Sequence, residues 1–114
     1  MRTNFSMQEE NITLVRGDTL SFGIQLYGEV NTLDSAYFTI KKDYEDSVLV
    51  QKSLGNGISQ VDIGEYAVRL APEDTQSLEV GRYYYDLQVG NGSDEFTILR
   101  GILNLVYDVT KEEE

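Results

Sequence analysis

Carboxylates and phenols are the reactive groups this sequence offers in quantity: 20 Asp and Glu and eight Tyr stand beside nine Lys and Arg, with no His and no Cys. Without thiolate or imidazole, the usual zinc ligands and the usual general base are both missing, which argues against zinc centres and against Ser-His or Cys-His nucleophiles. Asp43, Glu45 and Asp46 fall within one short stretch, and Asp94 and Glu95 follow Gly92-Ser93. A Ca²⁺ ion takes roughly six to eight oxygens at fixed offsets, and neither group has that spacing, so both read as solvated loop charge. A glycosidase needs two carboxylates across a cleft, and no pair is singled out here. The expectation is a chain that is not an enzyme and carries no cofactor or metal.

Two short motifs have binding readings and simpler ones. Arg16-Gly17-Asp18 matches an integrin-binding tripeptide, but followed by Thr19 and an apolar alternation it makes a good tight turn, which is the reading favoured. Asn4-Phe5-Ser6, Asn11-Ile12-Thr13 and Asn91-Gly92-Ser93 fit the N-glycosylation pattern. The start of the chain lacks the apolar core of a secretory signal, so they read as turn or strand polar residues.

The elements that would position any site are strands. Leu20, Phe22, Ile24 and Leu26 point one way while Ser21, Gly23 and Gln25 point the other, and a helix would scatter them. The same period of two places Ala36, Phe38 and Ile40 inward, then Tyr66, Val68 and Leu70, then Tyr83, Tyr85, Leu87 and Val89. Ile12-Thr13-Leu14-Val15 and Val48-Leu49-Val50-Gln51-Lys52 read as shorter strands. Turn residues separate them at Arg16-Gly17-Asp18, Gly28-Glu29-Val30-Asn31, Gly55-Asn56-Gly57 and Gly90-Asn91-Gly92, the last a hairpin signal. The final segment, from Glu95 to Thr110, is long for one strand. A bulge or bend is expected at Gly101, with Phe96 and Ile98 on one side before it and Leu103, Leu105, Tyr107 and Val109 inward after it. The stretch from Ala71 to Leu78 reads as a helical turn of about two turns at most, entered through Pro72.

About seven short strands in one chain of 114 residues predict a single all-β domain, an antiparallel Greek-key sandwich over residues 11–110. An irregular arm is expected over residues 1–10 and an acidic tail over 111–114. The run Leu78-Glu79-Val80-Gly81-Arg82-Tyr83-Tyr84-Tyr85 sharpens the class. In immunoglobulin-type sandwiches a Tyr near the start of a late strand, two residues before a bridging Cys, turns its hydroxyl onto the preceding corner. Tyr83 fits that role after Gly81, and Tyr85 stands in place of the Cys. Tyr37 and Tyr84 fall on the outward parity of their strands, where aromatics build interfaces. A net charge of −11 disfavours nucleic acid and anionic membranes as partners, and no apolar run approaches the ~20 residues of a membrane-spanning helix.

The chain resembles the small immunoglobulin-like structural modules of tailed bacteriophages and prophages, including the amino-terminal domain of baseplate upper proteins. The resemblance runs from about Val15 to Thr110. It is carried by Arg16-Gly17-Asp18-Thr19 leading into Leu20-Ser21-Phe22, Leu33-Asp34-Ser35-Ala36, Gly64-Glu65-Tyr66, and Thr75 and Leu78 before Gly81-Arg82-Tyr83-Tyr84-Tyr85-Asp86-Leu87. Thr97-Ile98-Leu99-Arg100-Gly101 and Asp108-Val109-Thr110 complete it. The resemblance implies a tail or baseplate component, resident in a virion or in bacterial cytoplasm, that self-associates into a homo-oligomer and docks with other phage structural proteins. The matched positions serve folding, so no functional residue is transferred. An alternative is a carbohydrate-binding or adhesin-like module in which Tyr37 or Tyr84 lines a groove among polar side chains.

Overall fold

The computed structural model describes residues 7–26 and 32–109. Period-two alternation becomes nine strands and one short helix: β1 Gln8–Glu9, β2 Ile12–Val15, β3 Leu20–Gln25, β4 Ser35–Lys41, β5 Val48–Leu54, β6 Gly57–Asp62, β7 Glu65–Leu70, α1 Pro72–Gln76, β8 Gly81–Asn91 and β9 Asp94–Val106. The front layer is ordered β1/β2-β9-β8-β4-β5 and the back layer β6-β7-β3. The two join where the chain crosses from β5 to β6, meeting at Ser53–Gly57 and Leu54–Ile58. Gly55 and Gly57 take φ of 84° and 97° there, which side chains resist and Gly permits.

The inward faces of the two layers meet in one core. Ala36, Phe38 and Ile40 of β4, Tyr66, Val68 and Leu70 of β7, Tyr83, Tyr85, Leu87 and Val89 of β8, and Leu103 and Leu105 of β9 are all buried. Phe38 sits at its centre, with ring centroids 5.8 Å from Phe22 and 5.5 Å from Tyr85. Buried Tyr hydroxyls need partners, and each finds a backbone one. Tyr66 accepts from the Leu33 N–H at 2.8 Å, Tyr83 donates to the Glu79 carbonyl at 2.6 Å, and Tyr85 donates to the Glu10 carbonyl at 2.7 Å. The Tyr83 bond reaches back four residues across Gly81, the corner geometry described for such sandwiches.

Two strands escape the sequence pattern. In β6 only Ile58 is buried, and Gln60 occupies the alternate position where an apolar residue would have signalled a strand. In β1, both residues are polar and exposed; backbone pairing with β9 alone makes it a strand. Gln8–Glu9 thus lies in sheet within the stretch expected to be an irregular arm.

The last strand departs from expectation in a way that explains Gly101. The register shift lies at Ile98, opposite Leu87 and Gln88, while Gly101 pairs with Tyr85 in line. The extra residue at 98 switches parity, so Phe96 and Leu99 sit opposite the inward Val89 and Leu87. Gly101 is needed for a close approach instead. Cross-strand partners share a face, and where a Gly101 Cβ would lie, on the Tyr85 side, the Glu10 carbonyl oxygen is 1.8 Å away. β1 and β2 pair with β9 in parallel at one constant offset, interrupted at Glu10 and Asn11, where the chain dips towards the sheet. Tyr85 takes the Glu10 carbonyl, Glu10 N–H donates to the Arg100 carbonyl at 3.0 Å, and Asn11 Oδ1 accepts from Ile102 N–H at 3.1 Å.

Other differences are local. Tyr107 and Val109, expected inward, are 57 % and 102 % exposed, because β9 ends at Val106 where its neighbour β2 ends at Val15. The hairpin turns on Gly92-Ser93, one residue later than the Asn-Gly signal indicates. Asn91 stays in β8 because its amide donates to the Thr32 carbonyl at 2.6 Å, and Gly92 alone takes positive φ, as a type II′ turn requires. The turn expected over residues 28–31 lies outside the described residues.

Candidate functional site

Arg16-Gly17-Asp18 is a turn bound into the body. Asp18 N–H donates to the Val15 carbonyl at 3.0 Å, Gly17 N–H to the buried Thr75 hydroxyl at 2.9 Å, and Arg16 to the Leu78 carbonyl at 3.2 Å. The helix it rests on is stapled in turn: the Asp74 carboxylate accepts from Ala71 N–H at 2.7 Å and pairs with Lys52 at 2.9 Å. Asn11 and Asn91, read from the sequence as polar residues of strand or turn, spend their side chains on the backbone bonds given above. Among the described residues no group of three or more metal-ligating side chains converges, and no helix is long and apolar enough to cross a membrane.

Two surface features stand apart. One is the outer face of the front layer, where register stacks three rows across the strands. Lys41 lies beside Tyr84 and Ile102; Thr39 beside Asp86 and Arg100, with Glu9 beyond; and Tyr37 beside Gln88 and Thr97. Over the first two rows, reaching Thr97 of the third, lies a groove of about 610 Å³, lined by the rings of Tyr44 and Tyr84, centroids 4.5 Å apart and tilted by 31°. Tyr44 comes from the β4–β5 loop and is 67 % exposed; Lys41 reaches its carbonyl at 3.5 Å. On the other side Arg100 grips the Glu9 carboxylate through Nε and Nη2 at 3.1 and 3.0 Å.

Asp86 lies in the groove floor. Desolvation pushes its carboxyl above the usual range, and Lys41 and Arg100 pull it back. Among the described residues nothing donates a hydrogen bond to it. Of the two outward Tyr residues picked out by parity, Tyr84 is half-buried in this groove; Tyr37 is 42 % exposed and does not line it. Tyr44, Asp86 and Arg100 were not singled out by the sequence, because only strand register and a loop conformation bring them to Tyr84.

The second feature is the edge of the back layer. Every residue of β3 pairs with β7 on one side, without a register shift, and among the described residues no strand pairs its other side. Leu26 N–H donates inward to the Gly64 carbonyl, so by antiparallel alternation the amides of Ser21, Gly23 and Gln25 face outward. The inward side chains of this strand, Leu20, Phe22 and Ile24, are only partly buried although their partners Leu70, Val68 and Tyr66 are fully so.

The two facing layers and the Tyr83 corner are those of an immunoglobulin-type sandwich, and a solved structure is similar to it. A marsupial T cell receptor superposes with a TM-score of 0.54 at 11 % identity, over 90 % of this chain and 52 % of the receptor chain. The fold is immunoglobulin-like. The chain spans about half the length of that receptor chain, and so distant an identity speaks to the immunoglobulin-like fold alone. The NK cell receptor Nkp44, a triggering partner in natural cytotoxicity, aligns over 89 % of this chain and 99 % of its own at 16 % identity, with a TM-score of 0.45. No protein-family model and no curated protein matches the sequence.

Proposed function

We propose that this immunoglobulin-like module is a non-enzymatic structural protein of the kind carried by tailed phages and prophages, and that it works by strand-to-strand assembly along the open edge of β3. One observation carries the reading: a regular six-residue edge whose inward Leu20, Phe22 and Ile24 are only partly buried. Edges that must stay single are blunted with charge, Pro or bulges. β3 has none of these, whereas β5 has the extra residue Leu49 opposite Ile40 and Lys41, and β1/β2 is broken at Glu10 and Asn11. A second strand on β3 would pair the outward amides and cover those three side chains. The large negative charge suits selective association, since copies repel unless the edges register.

The experiment is light scattering after size exclusion across a concentration series, on the wild type and on Ser21→Lys/Gly23→Lys. Both positions are exposed, and a Cβ on Gly23 meets nothing nearer than 3.8 Å. The reading expects multiples of 12.9 kDa in the wild type and their loss in the variant. A wild type that remains monomeric at the highest concentration refutes it.

A further inference from the structure

We propose that the groove on the outer face of the front layer binds a neutral sugar ring, stacked on the Tyr44–Tyr84 pair with its hydroxyls bridging Lys41, Asp86 and Arg100. This inference rests on the groove and not on assembly through β3, which lies in the other layer. The Tyr44 and Tyr84 rings, centroids 4.5 Å apart and tilted by 31°, line the groove with aromatic surface of negative quadrupole, which suits the weakly positive C–H groups of a pyranose. Beside it the polar groups alternate in kind: Lys41 donates, Asp86 accepts, Arg100 donates.

Counting what is already used leaves capacity at each. Among the described residues Lys41 commits one of its three donors, to the Tyr44 carbonyl, and Arg100 commits Nε and Nη2 to Glu9. Asp86 is half-buried and receives no hydrogen bond from the described residues. A partly desolvated carboxylate of this kind is most improved by a ligand that donates to it.

The same pattern selects against other ligands. A cation aimed at Asp86 meets Lys41 and Arg100 on both sides. A phosphate or carboxylate meets Asp86 itself and a chain of net charge −11. Adjacent hydroxyls of a sugar can donate to Asp86 while accepting from its neighbours, so a neutral polyol satisfies all three groups without bringing in a further charge. Tyr84, marked by sequence parity as an interface residue, becomes the inner half of the shelf under this assignment.

The test is saturation-transfer NMR followed by calorimetric titration of the full chain. The probes are the methyl glycosides of glucose, galactose and N-acetylglucosamine, with N-acetyl-arginine amide as a cationic comparison. Binding of at least one glycoside is expected, weakened roughly tenfold or more in Tyr84→Ala and in Asp86→Ala, since each removes one face of the recognition. Tyr84→Phe keeps the shelf and should keep the binding, and Tyr37→Ala, outside the groove, should leave it unchanged. Transfer to none of the glycosides, equal affinity in Tyr84→Ala and Asp86→Ala, or preference for the arginine amide each overturns the proposal. A chain that binds a glycoside yet stays monomeric overturns the assembly reading alone.

Discussion

Gly101→Ala is the smallest change that should release the N-terminal strand from the sandwich. The added methyl would lie 1.8 Å from the Glu10 carbonyl oxygen and 2.7 Å from its carbon, and both obstacles are backbone. Relief therefore requires residues around Glu10 to retreat by more than an ångström. Three hydrogen bonds converge there: Tyr85 to the Glu10 carbonyl, Glu10 N–H to Arg100 and Ile102 N–H to Asn11. At a net ~1 kcal/mol each they represent about 3 kcal/mol. Replacing Gly by Ala in a strand returns ~0.5–1 kcal/mol of chain entropy, so a net loss of about 2–2.5 kcal/mol is expected. In urea, with a slope of ~1–1.5 kcal/mol/M for a domain of this size, the midpoint should fall by about 2 M. Tyr85→Phe removes only one of the three bonds and should cost about 1 kcal/mol alone, and close to nothing on the Gly101→Ala background, a coupling that a double-mutant cycle reads directly. A Gly101→Ala midpoint within about 0.3 M of wild type would refute the argument, because it would mean that the crossing at Glu10 contributes nothing to the fold.

Three further outcomes follow from the core. The Tyr85 hydroxyl is pushed up to about 12, by burial first and by Glu10 second; its folded value lies above the unfolded value of about 10, so its contribution is complete below pH ~10 and is lost as pH rises through 12. The melting-temperature gap between wild type and Tyr85→Phe should accordingly hold up to about pH 10 and close between about pH 10 and 12. Tyr83→Phe should cost about 1 kcal/mol in urea unfolding, at the modest end because Glu79 is exposed and water can take over its carbonyl. Phe38→Ala, in the fully buried centre between Phe22 and Tyr85, should cost about 3–5 kcal/mol, and a loss under about 1 kcal/mol would mean that the layers do not meet there.

The strands that face the other layer with every second residue apolar, β3, β4, β7 and β8, were legible from period alone, and so were the turn at Gly17 and the helical entry at Pro72. What escaped has a common cause. β1 and β6 are strands because of what they pair with, and Gln8, Glu9 and Gln60 carry no apolar trace of it. Gly101 was visible as a special position, but the reason lies 91 residues away in the Glu10 backbone, which no local pattern reveals. The groove divides in the same way: Tyr84 follows from parity, whereas Asp86 and Arg100 become neighbours only through the β8–β9 register, which the extra residue at Ile98 resets. Tyr44 depends on how a loop folds back over the sheet.

Amide exchange at the open edge is the most direct measurement of how this molecule makes contact. The outward N–H groups of Ser21, Gly23 and Gln25 should exchange quickly in dilute solution and gain protection as concentration rises, while Leu26, already bonded to Gly64, stays protected throughout. Exchange at those three amides that is independent of concentration, up to the highest reached, would contradict assembly through β3.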